Sequence, residues 1–324
     1  MRYVYKKKIY AILFFLVDCV GGCFPAITAR FSRKCAETPK SILVIRLDHI
    51  GDIVMATSVF APLRRAFPEA RIDLLAPLWA NELLGADSNV DNIVLFDATW
   101  FSRKKTSFGA GLKAFFDVIR IIRNGKYDVA IDLRGDARHI LAVFFAGVKC
   151  RISYGITGLG FLLTHKVSYG ESLHEIDHNV ALLEPLGIKN CNGKVSLPFS
   201  KESSLKAQNI KKNEGIDRPY AIFHTVSGQN EKNWTVEGFS GVIEHIAEAK
   251  GLIPVIIGSS EDSVYIERVM EIVSQKVINL AGKAGLGVLG PLCAGASLFV
   301  GLDSGPSHIA AASGVFTLIL FSGI

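Results

Sequence analysis

From residue 41 onward the sequence repeats one local pattern: a short apolar run rich in β-branched residues, a turn, then a stretch with helical periodicity. Ser41–Leu47 (SILVIRL) opens it, and Ile53–Phe67, closed by Pro68, carries its apolar residues at helical spacing. Arg71–Ala76, Asn92–Phe96 and Tyr127–Leu133 follow as strand candidates, separated by helical stretches near 79–85, 111–124 and 136–146. A helix between successive strands predicts parallel strands with helices on both faces of the sheet. The rhythm lapses into a Lys-, Ser- and Asn-rich stretch at 192–219, which predicts the interdomain connection. It resumes at Tyr220–His224, Leu252–Ile257, Val277–Leu280, Leu298–Gly301 and Thr317–Phe321, with helices expected near 235–249, 261–274, 286–295 and 306–313. The pattern predicts two doubly wound α/β domains, 41–195 and 196–324, behind a distinct segment at 1–40. A chain of 324 residues is long enough for each domain to bury its own core. It ends at Ile324 directly after a strand, as a carboxy-terminal domain shortened from a longer protein would.

The charge of the chain is confined to one place. Residues 1–40 hold Arg2, Lys6, Lys7, Lys8, Arg30, Arg33, Lys34 and Lys40 against Asp18 and Glu37, which accounts for the whole formal charge of +6. The body of the protein is balanced, so no nucleic-acid footprint is expected. After the lysine cluster comes the apolar run Ile9–Val17, interrupted by Asp18 and then Gly21, Gly22 and Pro25. A spanning helix needs about 20 apolar residues, and an aspartate at its centre costs roughly 2.5–3.5 kcal/mol. A segment lying in the membrane interface, its lysines facing anionic head groups, fits better. A true span, a signal peptide and plain packing are the alternatives. Six scattered cysteines without a C-x-x-C pair, and without a histidine at ligand spacing, predict reduced, unlinked thiols and no metal centre.

Three strand-end motifs carry candidate chemistry. The first is Arg46-Leu47-Asp48-His49-Ile50-Gly51-Asp52, where Gly51 allows close backbone approach and Asp52 stands at a helix start. Aspartate also favours that position on any helix, because its carboxylate meets unpaired N–H groups there. The second is His224–Trp234 (HTVSGQNEKNW), in which Ser227 and Gly228 precede a mobile cation, Lys232. Hydroxyls and backbone N–H groups with a lysine suit a phosphate, although the Walker spacing is absent. A solvated loop over a packed Trp234 is the plainer alternative. The third is Gly301–His308 (GLDSGPSH), where Asp303, Ser304 and Gly305 lead into a helix with Pro306 in its first turn. His308 lies one turn in, where a packed histidine is equally ordinary. Glu261 or Asp262, just after Gly258-Ser259-Ser260, is a candidate for a ribose hydroxyl, with helix capping as the alternative.

Residues 42–77, the loop ending KNW at 232–234, and residues 279–314 together resemble glycosyltransferase family 9, the lipopolysaccharide heptosyltransferases; residues 174–187 add to the likeness. The resemblance implies a GT-B fold of two Rossmann-like domains facing a cleft, and inverting, metal-independent transfer with no cofactor. It implies Asp52 as general base and Gly51 on the acceptor side. Ser227, Gly228, Lys232, Asp303, Ser304, Gly305 and His308 would then hold the donor diphosphate and sugar. The family's K-x-W-P run has Thr235 here instead of proline. The implied partners are a nucleotide-sugar donor, ADP-heptose first, and a lipid-linked oligosaccharide acceptor, met peripherally on the cytoplasmic face of the inner membrane. A transferase using another nucleotide sugar, or a non-catalytic nucleotide-binding protein at the membrane, remain the alternatives.

Overall fold

A computed structural model describes residues 8–22, 35–101 and 107–322. The structure holds two parallel sheets, each in its own compact unit. One unit takes His49–Val54, Glu82–Asp87 and Ser196–Ile324, and the other takes the remaining segments up to Val195.

The first sheet comprises β1 (Ser41–Ile45), β2 (Arg71–Ala76), β3 (Asn92–Leu95), β4 (Val129–Asp132), β5 (Cys150–Ser153) and β6 (His165–Lys166), in the order β3-β2-β1-β4-β5-β6. Every pairing is parallel. This is the doubly wound order, in which the chain leaves the middle of the sheet in both directions. Central strand β1 is SILVI and buried throughout, as helices on both faces require. The helix Phe108–Gly125 begins at Ser107, whose side chain accepts from Ala110 N–H, and it buries Ala114, Val118, Ile119 and Ile122 along one stripe. Those side chains meet Leu43, Ile45, Leu75 and Ala130 of the sheet.

The second sheet comprises β7 (Tyr220–His224), β8 (Ile253–Ile257), β9 (Ile278–Asn279), β10 (Leu298–Leu302) and β11 (Thr317–Leu320), in the order β11-β10-β7-β8-β9, again parallel. Its core joins Phe223, Ile256 and Val300 to Phe239 and Ile243 on the helix Val236–Lys250 and to Ile266 and Val269 on the helix Ser263–Ile272.

The structure departs from the sequence expectation at particular points. The stretch expected as a connection contains a helix, Lys201–Asn213, capped by Ser200 and burying Ala207 alone, so it shows no apolar stripe. Phe199 just before it rests on Gly290, where a Cβ would lie 2.4 Å from the phenyl ring. The single helix expected over 53–67 is Ile50–Ala56, a tight turn at Thr57–Val59, and Phe60–Ala66.

Ahead of β1, the helix Lys8–Gly22 packs on the loop between β5 and β6, with Phe14 against Gly158 and Phe161 against Gly21. Ile12, Phe15, Leu16 and Val20 face outward, each at least half exposed. Among the described residues no helix is long and apolar enough to cross a membrane. Arg2, Lys6, Lys7, Arg30, Arg33, Lys34, Cys23 and Pro25 lie outside the described residues. The expectation of unlinked thiols is corrected at one pair: Cys35 and Cys150 form a disulfide across 115 residues, with Cα atoms 5.0 Å apart. The fold, not sequence spacing, brings residue 35 to β5.

Phe239 is fully buried at the centre of the second core. Phe239→Ala should therefore cost about 3–5 kcal/mol, read as a lowered urea midpoint of that unit by Trp234 fluorescence. An unchanged midpoint would show that this core does not limit stability.

Candidate functional site

In the second unit, β7 and β10 are neighbours, so the loops at their carboxyl ends lie side by side. β7 delivers His224 and then the loop 225–235. Ser227 N–H donates to Asn233 Oδ1 at 2.6 Å, and Ser227 Oγ accepts from Gln229 N–H at 3.3 Å, which curls the loop ahead of the turn Asn230–Lys232. Gly228 sits on this curl. Thr235, where the resembled family has proline, is the N-cap of Val236–Lys250, its side chain accepting from Gly238 N–H at 3.1 Å. The helix start is thus secured by a hydroxyl instead of a fixed φ. Trp234 lies over Gly238 and meets Phe239 edge to face, and its carbonyl accepts from Tyr265 OH at 2.6 Å.

From β10 come Asp303 and Ser304, followed by the helix Gly305–Ala312. Lys232 Nζ reaches Asp303 Oδ2 at 2.7 Å, so the cation of one loop is held by the carboxylate of the other. Ser304 occupies the N-cap position without capping. Its Oγ instead donates to Leu302 O at 3.1 Å and lies 3.1 Å from His224 Nδ1. With the hydroxyl proton on Leu302, the imidazole donates from Nδ1 and fixes the oxygen from below. Burial pushes His224 down to about 4, a neutral ring at working pH, even though Asp262 opposes the shift. Ser307 Oγ also donates to Leu302 O, at 2.5 Å. His308 Nε2 stands 4.0 Å from Asp303 Oδ1.

The segment His49–Val54 belongs to this same unit. A Cβ on Gly51 would fall 2.5 Å from His308 Cδ2, and a Cβ on Gly305 would fall 2.7 Å from Ile50 Cβ. Asp52 lies in the first turn of Ile50–Ala56, its Oδ2 3.5 Å from Nδ1 of the exposed His49. Lys232, Asp303 and His308 therefore converge, Ser304 is tied to them through the β10 turn, and Gly51 abuts His308. Glu261 is exposed in the turn Ser260–Asp262. Its neighbour Asp262 is spent on capping, with Oδ2 accepting from both Ser259 N–H and Oγ at 2.7 Å.

In the first unit, two residues of the first motif are structural. Arg46 is buried, donating to Asp48 at 2.7 Å, to Glu175 at 2.8 Å and to Leu133 O at 3.2 Å, and Arg134 pairs with Asp48 as well. A second cluster at the end of β4 was not singled out from the sequence. Asp132-Leu133-Arg134-Gly135-Asp136-Ala137-Arg138-His139 is the same strand–glycine–helix pattern as the other motifs, which is the signal that could have found it. Arg134 and Arg138 lie over Phe101, and Arg138 also lies over Trp100. Burial opposes ionisation of Asp136, but the Arg138 hydrogen bond and the charges of His139 and Arg138 prevail, bringing it to about 2. Burial also opposes charge on His139, and the Asp132 carboxylate 2.9 Å away outweighs it and raises the ring. Three buried polar atoms around this cluster, Thr99 Oγ1, Trp100 Nε1 and His139 Nε2, have no hydrogen-bond partner among the described residues. One further donor set, Cys35, Cys150 and His165, has the residue types of a metal site.

The model of glycosyltransferase family 9 (heptosyltransferase) matches residues 115–322. Lipopolysaccharide heptosyltransferase 3 of Escherichia coli is 27% identical over 280 residues, covering 84% of this chain and 80% of that protein. Among solved structures, a glycosyl transferase family 9 protein from Veillonella parvula is similar at a TM-score of 0.77 and 22% identity, covering 90% of this chain and 88% of that one. The Escherichia coli heptosyltransferase WaaC with ADP-2-deoxy-2-fluoro heptose is similar at 0.69 and 18% identity, covering 88% and 89%. The fold is thus GT-B, two parallel-sheet α/β units.

Because His224 is depressed to about 4 from 6.5, the unfolded chain takes up its proton first as pH falls. Its contribution, about 3 kcal/mol at most, is present above pH 6.5 and is lost as pH drops through 4. The urea midpoint of the second unit should fall across that window, and His224→Gln should flatten the fall. An equally steep fall in the variant would remove His224 as the cause.

Proposed function

The chain belongs to glycosyltransferase family 9 (heptosyltransferase), and from that premise we propose that it transfers heptose from ADP-heptose to a lipid-linked, lipopolysaccharide-type acceptor with inversion at the anomeric carbon. The observation that carries this most is the convergence of Lys232, Asp303 and the start of the helix Gly305–Ala312 at neighbouring strand ends, with Gly51 against His308. A lysine beside a helix N-terminus suits a diphosphate. The names of the relatives support the sugar, since one is a lipopolysaccharide heptosyltransferase and another was solved with an ADP-heptose analogue.

In the proposed reaction the Asp52 carboxylate takes the proton of an acceptor hydroxyl as that oxygen attacks the anomeric carbon. The new C–O bond forms on the face opposite the diphosphate. The bond from the anomeric carbon to the diphosphate breaks with its electron pair, and ADP leaves. Lys232 and Gly305 N–H meet the charge that develops on the leaving oxygens, Ser227 and Ser304, its hydroxyl turned from Leu302 to the ligand, hold the phosphates, and Asp303 and His308 meet the sugar. With a fixed cation already at the leaving group, the step calls for no divalent metal. Glu261 retains the ribose assignment only as an exposed carboxylate beside the Asp262 cap. On the acceptor side, Arg134 and Arg138 with the unpartnered polar atoms near Trp100 suit a hydroxyl-rich, anionic molecule.

The outward apolar face of Lys8–Gly22, next to the basic residues of the sequence, supports peripheral contact with the cytoplasmic face of the inner membrane. That location unites a cytosolic nucleotide sugar with an acceptor embedded in lipid.

Asp52→Ala should abolish transfer to a deacylated lipopolysaccharide acceptor while ADP affinity stays within about twofold. Unchanged turnover would remove Asp52 from the chemistry. Lys232→Ala should weaken ADP at least about tenfold by calorimetry, and ADP should stabilise the wild type more than UDP or GDP in parallel melts. Equal stabilisation by UDP would reassign the donor. Deleting residues 1–38 should release the protein from sedimenting vesicles of anionic lipid, whereas retention would assign the contact to another surface.

A further inference from the structure

In the amino-terminal unit, three soft donors that are far apart in sequence meet at the edge of the sheet. Cys150 is the first residue of β5, His165 the first of the neighbouring edge strand β6, and Cys35 arrives from the segment ahead of β1. Their ligand atoms all lie within 4.8 Å of one another. A disulfide accounts for two of them and leaves the third unexplained, namely His165 Nδ1 at 3.5 Å from Cys35 Sγ. We propose that in the reduced protein Cys35, Cys150 and His165 hold a divalent cation of the zinc type.

The chemistry of the donors supports this. With Zn–S near 2.3 Å and Zn–N near 2.0 Å, a sulfur and a nitrogen on one tetrahedral zinc stand about 3.5 Å apart, which is the Cys35–His165 separation. Two thiolates neutralise the ion, so a complex with one neutral imidazole carries no net charge, as a site around the buried Cys150 requires. His165 Nδ1 is free to turn to a metal without stranding its other neighbour. Thr164 Oγ1, 3.0 Å from it, also accepts from Arg151 N–H at 2.8 Å and donates to Arg151 O at 3.1 Å. The three protein donors leave one tetrahedral position for water.

Only the redox state is borrowed from the cytosolic location proposed above. There, two molecules of a small cytosolic thiol reduce the disulfide, giving two cysteine thiols and the oxidised disulfide of the small thiol. Binding of the cation to both sulfurs then releases two protons. The sulfurs separate from a covalent bond to about 3.7 Å, the spacing of two thiolates on one tetrahedral zinc.

The consequence is a clip. Cys35 closes the amino-terminal extension, and the loop between β5 and β6 already carries Gly158 and Phe161 against Phe14 and Gly21 of the helix Lys8–Gly22. Metal on Cys150 and His165 would hold the same extension to the same two strands a second time.

The test is metal content of the full chain, expressed in a reducing cytosol and purified anaerobically with a monothiol. Wild type should carry about one zinc per chain. Replacement of zinc by cobalt should give the intense thiolate-to-cobalt charge-transfer band and the d–d absorption of a tetrahedral site. Cys35→Ser and His165→Ala should each retain less than about a tenth of the metal, while Cys191→Ser, outside the site, keeps it. Wild type that carries no zinc and takes up no cobalt, or metal retained in both site variants, overturns the proposal. So does recovery of Cys35 and Cys150 as an intact disulfide from the reduced preparation. ADP binding measured on the same samples reports separately on the nucleotide site, so failure of the transferase reading leaves this result interpretable.

Discussion

Both sheets are parallel and their inner strands are buried on both faces, and this one constraint governs where chemistry can stand. A strand covered by helices on each side must be apolar along its length. SILVI, YAIFH and IPVII accordingly form β1, β7 and β8, with every residue of each buried. Polar groups are pushed to the carboxyl ends, where the backbone turns into a helix and its N–H groups lack partners. Asp52, Lys232, Asp303, Ser304 and the Arg134–His139 run all lie just beyond a strand for that reason. Several polar side chains are nevertheless buried within strands, among them Asp73 in β2, Asp132 in β4 and Arg151 in β5; His224, the last residue of β7, is tolerated because its ring is neutral and hydrogen-bonded to Ser304.

The same constraint decides what was legible in the sequence. Continuous apolar runs announce buried parallel strands, and Arg71–Ala76 and Tyr220–His224 fall where the pattern puts them. Strands that mix polar with apolar residues, such as CRIS in β5 and HK in β6, show no such run. β6 has two residues and β5 four, and neither stood out. The helix Lys201–Asn213 looked like a linker because the face it packs on the helix Leu286–Ala294 carries Ser203, Ser204 and Ala207 and so shows little apolar periodicity. The motif residues could be named from strand-end position, but their partners could not. That Arg46 and Asp48 are consumed by a buried ion network, or that Cys35 meets Cys150, depends on contacts across 86 to 129 residues.

The pairing of Lys232 with Asp303 has a functional side. Both side chains are about one-third exposed, and ion pairs of that exposure contribute roughly 0.2–1 kcal/mol. The diphosphate of the proposed donor would offer more negative charge and several acceptor oxygens, so the lysine would exchange its carboxylate for that ligand at little cost. In the proposed reaction, Asp303 so released would accept from hydroxyl groups of the sugar. A buried pair would have held the lysine too firmly for this, and a lone lysine would have wandered among rotamers before binding.

Gly51 and Gly305 show why the first and third motifs depend on glycine. Neither has a positive φ, so conformational freedom does not explain them. Space does: a single Cβ at 51 would strike the ring of His308, and one at 305 would strike Ile50. Each glycine is thus matched to a side chain presented by the other motif, and the two segments are complementary surfaces. A methyl group at Gly51 would have to displace the His308 ring, and one at Gly305 the Ile50 side chain. The fit of the two segments is therefore set by what positions 51 and 305 lack.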